Sequence, residues 1–209
     1  MSLVSRAVGL AAHLPPPRTR AISVRRDIAV PMPDGVTLLA DRYRARADGT
    51  QPVVLMRSPY GRGGLHALAA RAFAERGYQV IVQSCRGTHG SGGDFVAYRN
   101  EAQDGRATLE WLREQTWSSG KVAMFGPSYL GIAQWAVAAD PDAGLCALAP
   151  AIASARVRAF TYTGGAFSLD TTLTWLALLA RQGRTNARRF RELFGRGMRL
   201  SRGFASVPL

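Results

Sequence analysis

Between Lys121 and Gly131 the chain reads KVAMFGPSYLG, and this stretch constrains the fold more than any other. Val122 to Phe125 form a short apolar run of strand length. After Ser128, the residues Leu130, Ile132, Trp135, Ala136 and Val137 fall on the apolar face of a helix. Ser128 therefore sits on a strand-to-helix turn, flanked by Gly126 and Gly131, which allow the chain to approach its neighbours closely.

That placement suits a nucleophile. A serine hydroxyl attacks poorly until a base takes its proton, and a sharp turn after a buried strand exposes it while the helix N-terminus supplies backbone donors for a developing oxyanion. The literal pattern is G-x-S-x-x-G, one residue longer than the usual G-x-S-x-G elbow, with Leu130 standing where the shorter form has glycine. The plainer alternative is a serine that only caps a core helix.

The rest of the chain places this turn in an alternating α/β pattern. Ile28, Val30 and Met32 alternate, Asp34-Gly35 marks a turn, and Val36, Leu38 and Ala40 alternate again, which predicts a β-hairpin. Strands are expected at Val53 to Met56, Tyr78 to Val82, Lys121 to Phe125 and Leu145 to Ala149. Helices are expected at Leu65 to Phe73, closed by Gly77, and at Glu101 to Gln115. A hairpin followed by alternating strands and helices implies a mostly parallel sheet with helices on both faces. Residues 1–24, interrupted by Pro15, Pro16 and Pro17, read as a leader on the surface; residues 25–150 carry the α/β pattern. From 151 to 209 no strand signal remains, and Thr163 to Ala180 and Arg181 to Arg202 read as the opening helices of a second unit.

Composition narrows the function classes. The net charge of +13 comes from 27 basic against 14 acidic residues, and Lys121 is the one lysine. So strong a bias to arginine speaks for coding composition over a nucleic-acid surface, which usually mixes both cations. No apolar run reaches membrane-span length. Cys85 and Cys146 lie in apolar strand-like runs and read as buried reduced thiols of a cytoplasmic protein, with no zinc-type spacing. The Gly-rich loop from Arg86 to Gly93 fits neither phosphate-binding pattern and reads as structural. No cofactor or metal is expected, and no nucleic-acid or membrane partner.

Four motifs in order, SPYGR (Ser58 to Arg62), CRGTHGSGGDF (Cys85 to Phe95), TWSSGKV (Thr116 to Val122) and GPSYLG, resemble the cocaine esterase and X-Pro dipeptidyl-peptidase family of α/β-hydrolases. The resemblance runs from about Arg25 to Leu179. It implies an α/β-hydrolase fold followed by the start of a helical lid, and a small ester or amide as substrate. It also implies that Ser128 forms the acyl-enzyme, that the Tyr60 hydroxyl donates to the oxyanion, and that the backbone N–H of Tyr129 is the second donor. Tyr60 also lies by count in the loop after the third strand, where this fold places its second oxyanion donor.

The remaining triad members are not found. In this fold the order is serine, acid, histidine, yet His13, His66 and His89 all precede Ser128. Asp140, Asp142 and Asp170 follow it, but none stands after a late strand, so no acid is assigned. The sequence is accordingly expected to be the N-terminal part of a larger hydrolase, inactive in isolation. Two other readings stay open: an X-Pro dipeptidyl peptidase, for which no acidic anchor for a free amino terminus stands out, and a non-catalytic arginine-rich remnant. Oligomeric state also stays open.

Overall fold

The two alternating stretches near the start pair as an antiparallel hairpin, β1 (Ile22–Pro31) with β2 (Thr37–Ala45). Its turn closes through Met32 N–H donating to the Val36 carbonyl at 2.8 Å, with Gly35 at φ 81°, a conformation that favours glycine. The computed structural model describes residues 7, 9–46, 49–141 and 144–179. The chain divides into two units, Met1–Ala155 and Arg156–Leu209.

In the first unit the sheet continues with β3 (Gln51–Ser58), β4 (Gln79–Ser84), β5 (Ser118–Pro127) and β6 (Leu145–Ala151). Strand order is β1-β2-β4-β3-β5-β6; β2 runs antiparallel to β4, and β4, β3, β5 and β6 are mutually parallel. The helices are α1 (Gly64–Ala74), α2 (Glu101–Glu114) and α3 (Tyr129–Ala138). α1 ends where expected, with Gly77 at φ 94° and Tyr78 N–H reaching back to the Phe73 carbonyl. This is an α/β-hydrolase fold with a mostly parallel sheet.

Alternation along the strands builds two cores. Val53 and Leu55 of β3, Ile81 of β4, and Val122 and Met124 of β5 face Leu109 and Leu112 of α2 and Val137 of α3. Val54 and Met56, with Val80 and Val82, face Ala70 and Ala74 of α1 on the other side. Every residue of β4 is buried, as a strand covered on both faces requires. Its polar side chains are all bonded: Gln79 to Arg42 and Gln51, Gln83 to Arg57 and Thr108, and Ser84 to Arg62.

Two expectations need correction here. Cys85 is fully buried, but Cys146 is exposed, because β6 lies at the edge of the sheet and presents much of its surface to solvent. The second unit also contains strands: after α4 (Val157–Thr161), β7 (Tyr162–Thr163) pairs antiparallel with β8 (Ala166–Phe167) before α5 (Leu169–Leu179). The turn between them is Gly164-Gly165, both at positive φ (61° and 90°), a two-residue hairpin signal that the helical reading of Thr163 to Ala180 passed over. Within that unit Phe167 and Leu176 are exposed and Trp175 is half-buried. Asp142 and the stretch Arg181 to Arg202 lie outside the described residues.

Candidate active site

Loops at the carboxyl ends of β3, β4, β5 and β6 converge, the position where open α/β sheets build their sites. Ser128 follows β5 directly and has φ 57° and ψ −124°, a conformation rare for a residue with a side chain. Holding a serine there costs on the order of 1–3 kcal/mol and needs surrounding structure to enforce it. That structure is visible. Ser128 N–H donates to the Ala151 carbonyl at the end of β6 (2.8 Å), while the Ser128 carbonyl accepts from Gly131 N–H (2.8 Å) and Ile132 N–H (3.1 Å), which starts α3.

The two glycines of the motif act by making room. A Cβ on Gly126 would stand 2.5 Å from the Leu130 side chain, and one on Gly131 would stand 2.5 Å from the Ala153 Cβ. The longer spacing is thereby explained: Leu130 fills the space that glycine at 126 leaves open, and the second glycine moves one residue on, where α3 meets the chain beyond β6. Gly126 itself has φ 142°, which also favours glycine.

Ser128 holds the N-cap position of α3, yet its side chain makes no capping hydrogen bond, and the residue is exposed. A serine selected as a cap would accept from the second or third helical N–H and stabilise the helix by about 1 kcal/mol. The hydroxyl is left accessible instead. Tyr129 is the first helical residue, so its backbone N–H lies at the helix N-terminus, next to the serine.

Tyr129 also anchors the elbow from below. Its ring is 1% exposed, and its hydroxyl donates to Glu101 Oε1 at 2.8 Å and accepts from Tyr98 N–H at 3.1 Å. Burial first and the Glu101 carboxylate second push this phenol well above the usual tyrosine range, so it stays a donor. Glu101 stands at the start of α2 and shares a buried set of charges with Arg57, Asp104 and Arg86. Arg57 is fully buried; its Nη1 lies 2.9 Å from Glu101 Oε2, and its Nε donates to Gln83 Oε1 at 2.9 Å. Arg86 grips Asp104 with two hydrogen bonds, 2.6 and 3.1 Å, and reaches Asp34 at 2.7 Å.

Tyr60 lies in the loop after β3, as predicted, and is half-buried. Its ring meets Tyr129 edge-on, with centroids 6.5 Å apart, and stacks on His66 at 6.5 Å. The loop is tied down from behind. Arg62 donates to Asp41 Oδ1 (2.9 Å), Ser84 Oγ (2.7 Å) and the His89 carbonyl (3.0 Å), and pairs with Asp27, the residue in the β1 bulge. His66 Nδ1 bonds the Gly61 carbonyl at 3.0 Å; since a carbonyl only accepts, Nδ1 carries the proton and Nε2 faces Ser58 Oγ at 3.5 Å. Burial lowers the His66 pKa below the usual histidine value. Ser128, Tyr60 and Tyr129 are thus gathered at one end of the sheet.

The Gly-rich loop after β4 is stitched to the scaffold. Gly87 N–H donates to the Gly92 carbonyl, Gly92 N–H to Thr37 in β2, and Ser91 Oγ to the Ser84 carbonyl. These donors are spent internally. Among the described residues no group of His, Cys, Asp or Glu side chains could hold a metal ion. Nor is any described helix long and apolar enough to cross a membrane.

Sequence reasoning missed Arg57, Tyr98 and Glu101. Arg57 offered a signal: a cation within the run VVLMRSP is destined for burial and needs a carboxylate partner. Which carboxylate was not legible, because Glu101 is 44 residues away in sequence.

Comparison with known proteins identifies relatives of this chain. Residues 34–198 match the family model described as X-Pro dipeptidyl-peptidase (S15 family). The chain is 43% identical to cocaine esterase from Rhodococcus sp. (strain MB1 Bresler) over 164 residues, 75% of this chain and 29% of that protein. It is 25% identical to a putative Xaa-Pro dipeptidyl-peptidase from Streptomyces avermitilis over 177 residues, 68% of this chain and 26% of that one. Among solved structures, a CocE/NonD family hydrolase from Staphylococcus aureus superposes with a TM-score of 0.57 at 27% identity, covering 61% of this chain and 27% of the other. The chain therefore spans less than a third of the length of these relatives. With fold, motif order and similarity in agreement, the chain belongs to the X-Pro dipeptidyl-peptidase (S15) family of α/β-hydrolases.

Proposed function

We propose that this chain supplies the nucleophile and the oxyanion hole of a serine hydrolase that cleaves a small-molecule ester or amide through an acyl-serine. The observation that carries the reading is Ser128 itself, forced to φ 57° at a strand-to-helix turn while its side chain caps nothing. Ser128 Oγ would attack the substrate carbonyl carbon and lose its proton to a base. The oxyanion would take hydrogen bonds from the Tyr129 N–H and the Tyr60 hydroxyl; the bond from the carbonyl carbon to the leaving oxygen or nitrogen would break as the base hands its proton to the departing alcohol or amine, and water, deprotonated by the same base, would hydrolyse the acyl-serine.

An ester is the preferred substrate class, since the similarity to a cocaine esterase (43%) exceeds that to a putative dipeptidyl-peptidase (25%). We read residues 25–150 as the N-terminal part of the catalytic domain and 151–209 as part of a helical lid, in a cytoplasmic enzyme. The histidines of these 209 residues all precede Ser128. On that ground the isolated chain should hydrolyse esters negligibly, because loss of a triad member in such enzymes costs on the order of 10⁶ in turnover. The test compares a p-nitrophenyl acyl ester with an X-Pro p-nitroanilide, using the full-length gene product. Faster Ser128-dependent turnover of the ester is expected; preference for the anilide would reverse the assignment.

A further inference from the structure

The face of the β1–β2 hairpin away from the elbow holds an unusual concentration of like charge. Antiparallel register sets Arg25 opposite Arg42 and Ser23 opposite Arg44. Side chains alternate along a strand, so these four share one face. Trp117, just before β5, closes one side, and together with Val24 they line a concavity of about 400 Å³.

Such an arrangement opposes folding. Like charges directly opposite each other in a ladder destabilise it, and several arginines elsewhere are neutralised by a partner. Arg26, Arg57, Arg62, Arg86 and Arg106 each stand within ion-pair reach of a carboxylate. Arg25, Arg42 and Arg44 pair with no carboxylate among the described residues. What holds Arg42 and Arg44 is neutral. Arg42 Nε donates to Gln79 Oε1 (2.9 Å), with its guanidinium 3.8 Å above the Trp117 ring, and Arg44 Nε donates to Ser23 Oγ (3.2 Å). Both contacts leave the terminal guanidinium nitrogens available. The strain registers on Arg42, whose pKa falls to about 10 through burial and then through its neighbours Arg44 and Arg25.

We propose that this concavity binds a phosphorylated small molecule, its phosphoryl group held by the guanidinium forks of Arg25, Arg42 and Arg44. A phosphoryl dianion presents three terminal oxygens in divergent directions, which suits three cations lining one concavity; a carboxylate offers two oxygens in one plane and a single charge. The volume lies within the range of roughly 300–1,000 Å³ typical of small-molecule sites and exceeds what inorganic phosphate alone would fill. The site does not depend on the acyl chemistry proposed for Ser128, and Ser128→Ala should leave it intact.

Calorimetric titration of the chain at constant ionic strength tests this, with glycerol phosphate, inorganic phosphate and glycerate as probes. Glycerol phosphate is expected to bind saturably and most tightly, inorganic phosphate less tightly, and glycerate weakest. Trp117 emission should change with occupancy, since Arg42 lies over that ring, and Trp117→Phe should remove that change. Arg42→Gln and Arg44→Gln should each weaken glycerol phosphate by about tenfold, the loss of one charge-assisted bond. Arg99→Gln removes the same charge at an exposed position elsewhere and should change affinity by less than about twofold. Equal weakening by Arg99→Gln would reduce the effect to net charge and overturn the site, as would absence of saturable binding. Glycerate binding as tightly as glycerol phosphate would overturn its phosphoryl preference. Arg44 is exposed, so its variant carries the test even if Arg42→Gln does not fold.

Discussion

Replacing Arg57 by methionine should be among the most damaging single changes outside the apolar core. Arg57 is fully buried, and Glu101 and Asp104 beside it are 4% and 1% exposed. In the native chain Arg57 faces Glu101 at 2.9 Å and Asp104 more loosely at 3.9 Å, while Arg86 holds Asp104 independently. Methionine fills much of the same volume but leaves Glu101 as a buried carboxylate supported, among the described residues, only by the Tyr129 hydroxyl and a 3.8 Å contact from the Cys85 thiol. Breaking a buried pair in this way costs about 3–5 kcal/mol, a large share of the roughly 5–15 kcal/mol that stabilises an ordinary domain. Asp104 should contribute little to that loss, because its bidentate partner remains. The double variant Arg57→Met with Glu101→Gln removes both charges and keeps an acceptor for Tyr129, so it should recover about 2 kcal/mol or more of the loss. Urea unfolding followed by circular dichroism, with the slope unchanged between variants, gives the four corners of the cycle. A single-variant loss below about 1 kcal/mol, or strictly additive effects, would show that the pair is not the anchor described here.

Two further outcomes follow from the loop that carries Tyr60. Tyr60→Phe keeps the ring and its edge contact with Tyr129 but removes the hydroxyl; turnover by the full-length gene product should fall about 10²- to 10³-fold, and a loss below about tenfold would leave Tyr60 with packing alone. His66 has its pKa lowered from 6.5 by burial, so the unfolded chain binds the proton more readily. Its contribution to stability is then complete above pH 6.5 and declines as pH falls from there toward the lower folded value. His66→Phe should flatten the stability profile in that window; an unchanged slope would exclude His66 as its source.

Much of this architecture was legible because local signals and global fold agree. Alternation gave the hairpin, short apolar runs gave β3 to β6, and Gly77 marked the end of α1. The elbow was legible as a turn, and Ser128, Tyr60 and Tyr129 do come together at one end of the sheet. The supports beneath them were not. Glu101 under Tyr129, and Arg62 bridging Asp27, Asp41 and Ser84, are pairings across 21 to 35 residues that no local period encodes. Cys146 was misjudged for a related reason: an apolar run identifies a strand, but only strand order shows that β6 is at the edge. The β7–β8 hairpin escaped because two-residue strands carry too little pattern to outweigh the leucine-rich segment that follows.

Covalent trapping reads out whether Ser128 is the nucleophile. The full-length gene product would be treated with a fluorophosphonate, digested, and mapped by mass spectrometry alongside Ser128→Ala. A single adduct on the peptide containing Ser128, absent from the variant, is the predicted result. Labelling that persists in Ser128→Ala, or an adduct mapped to another serine, would contradict it.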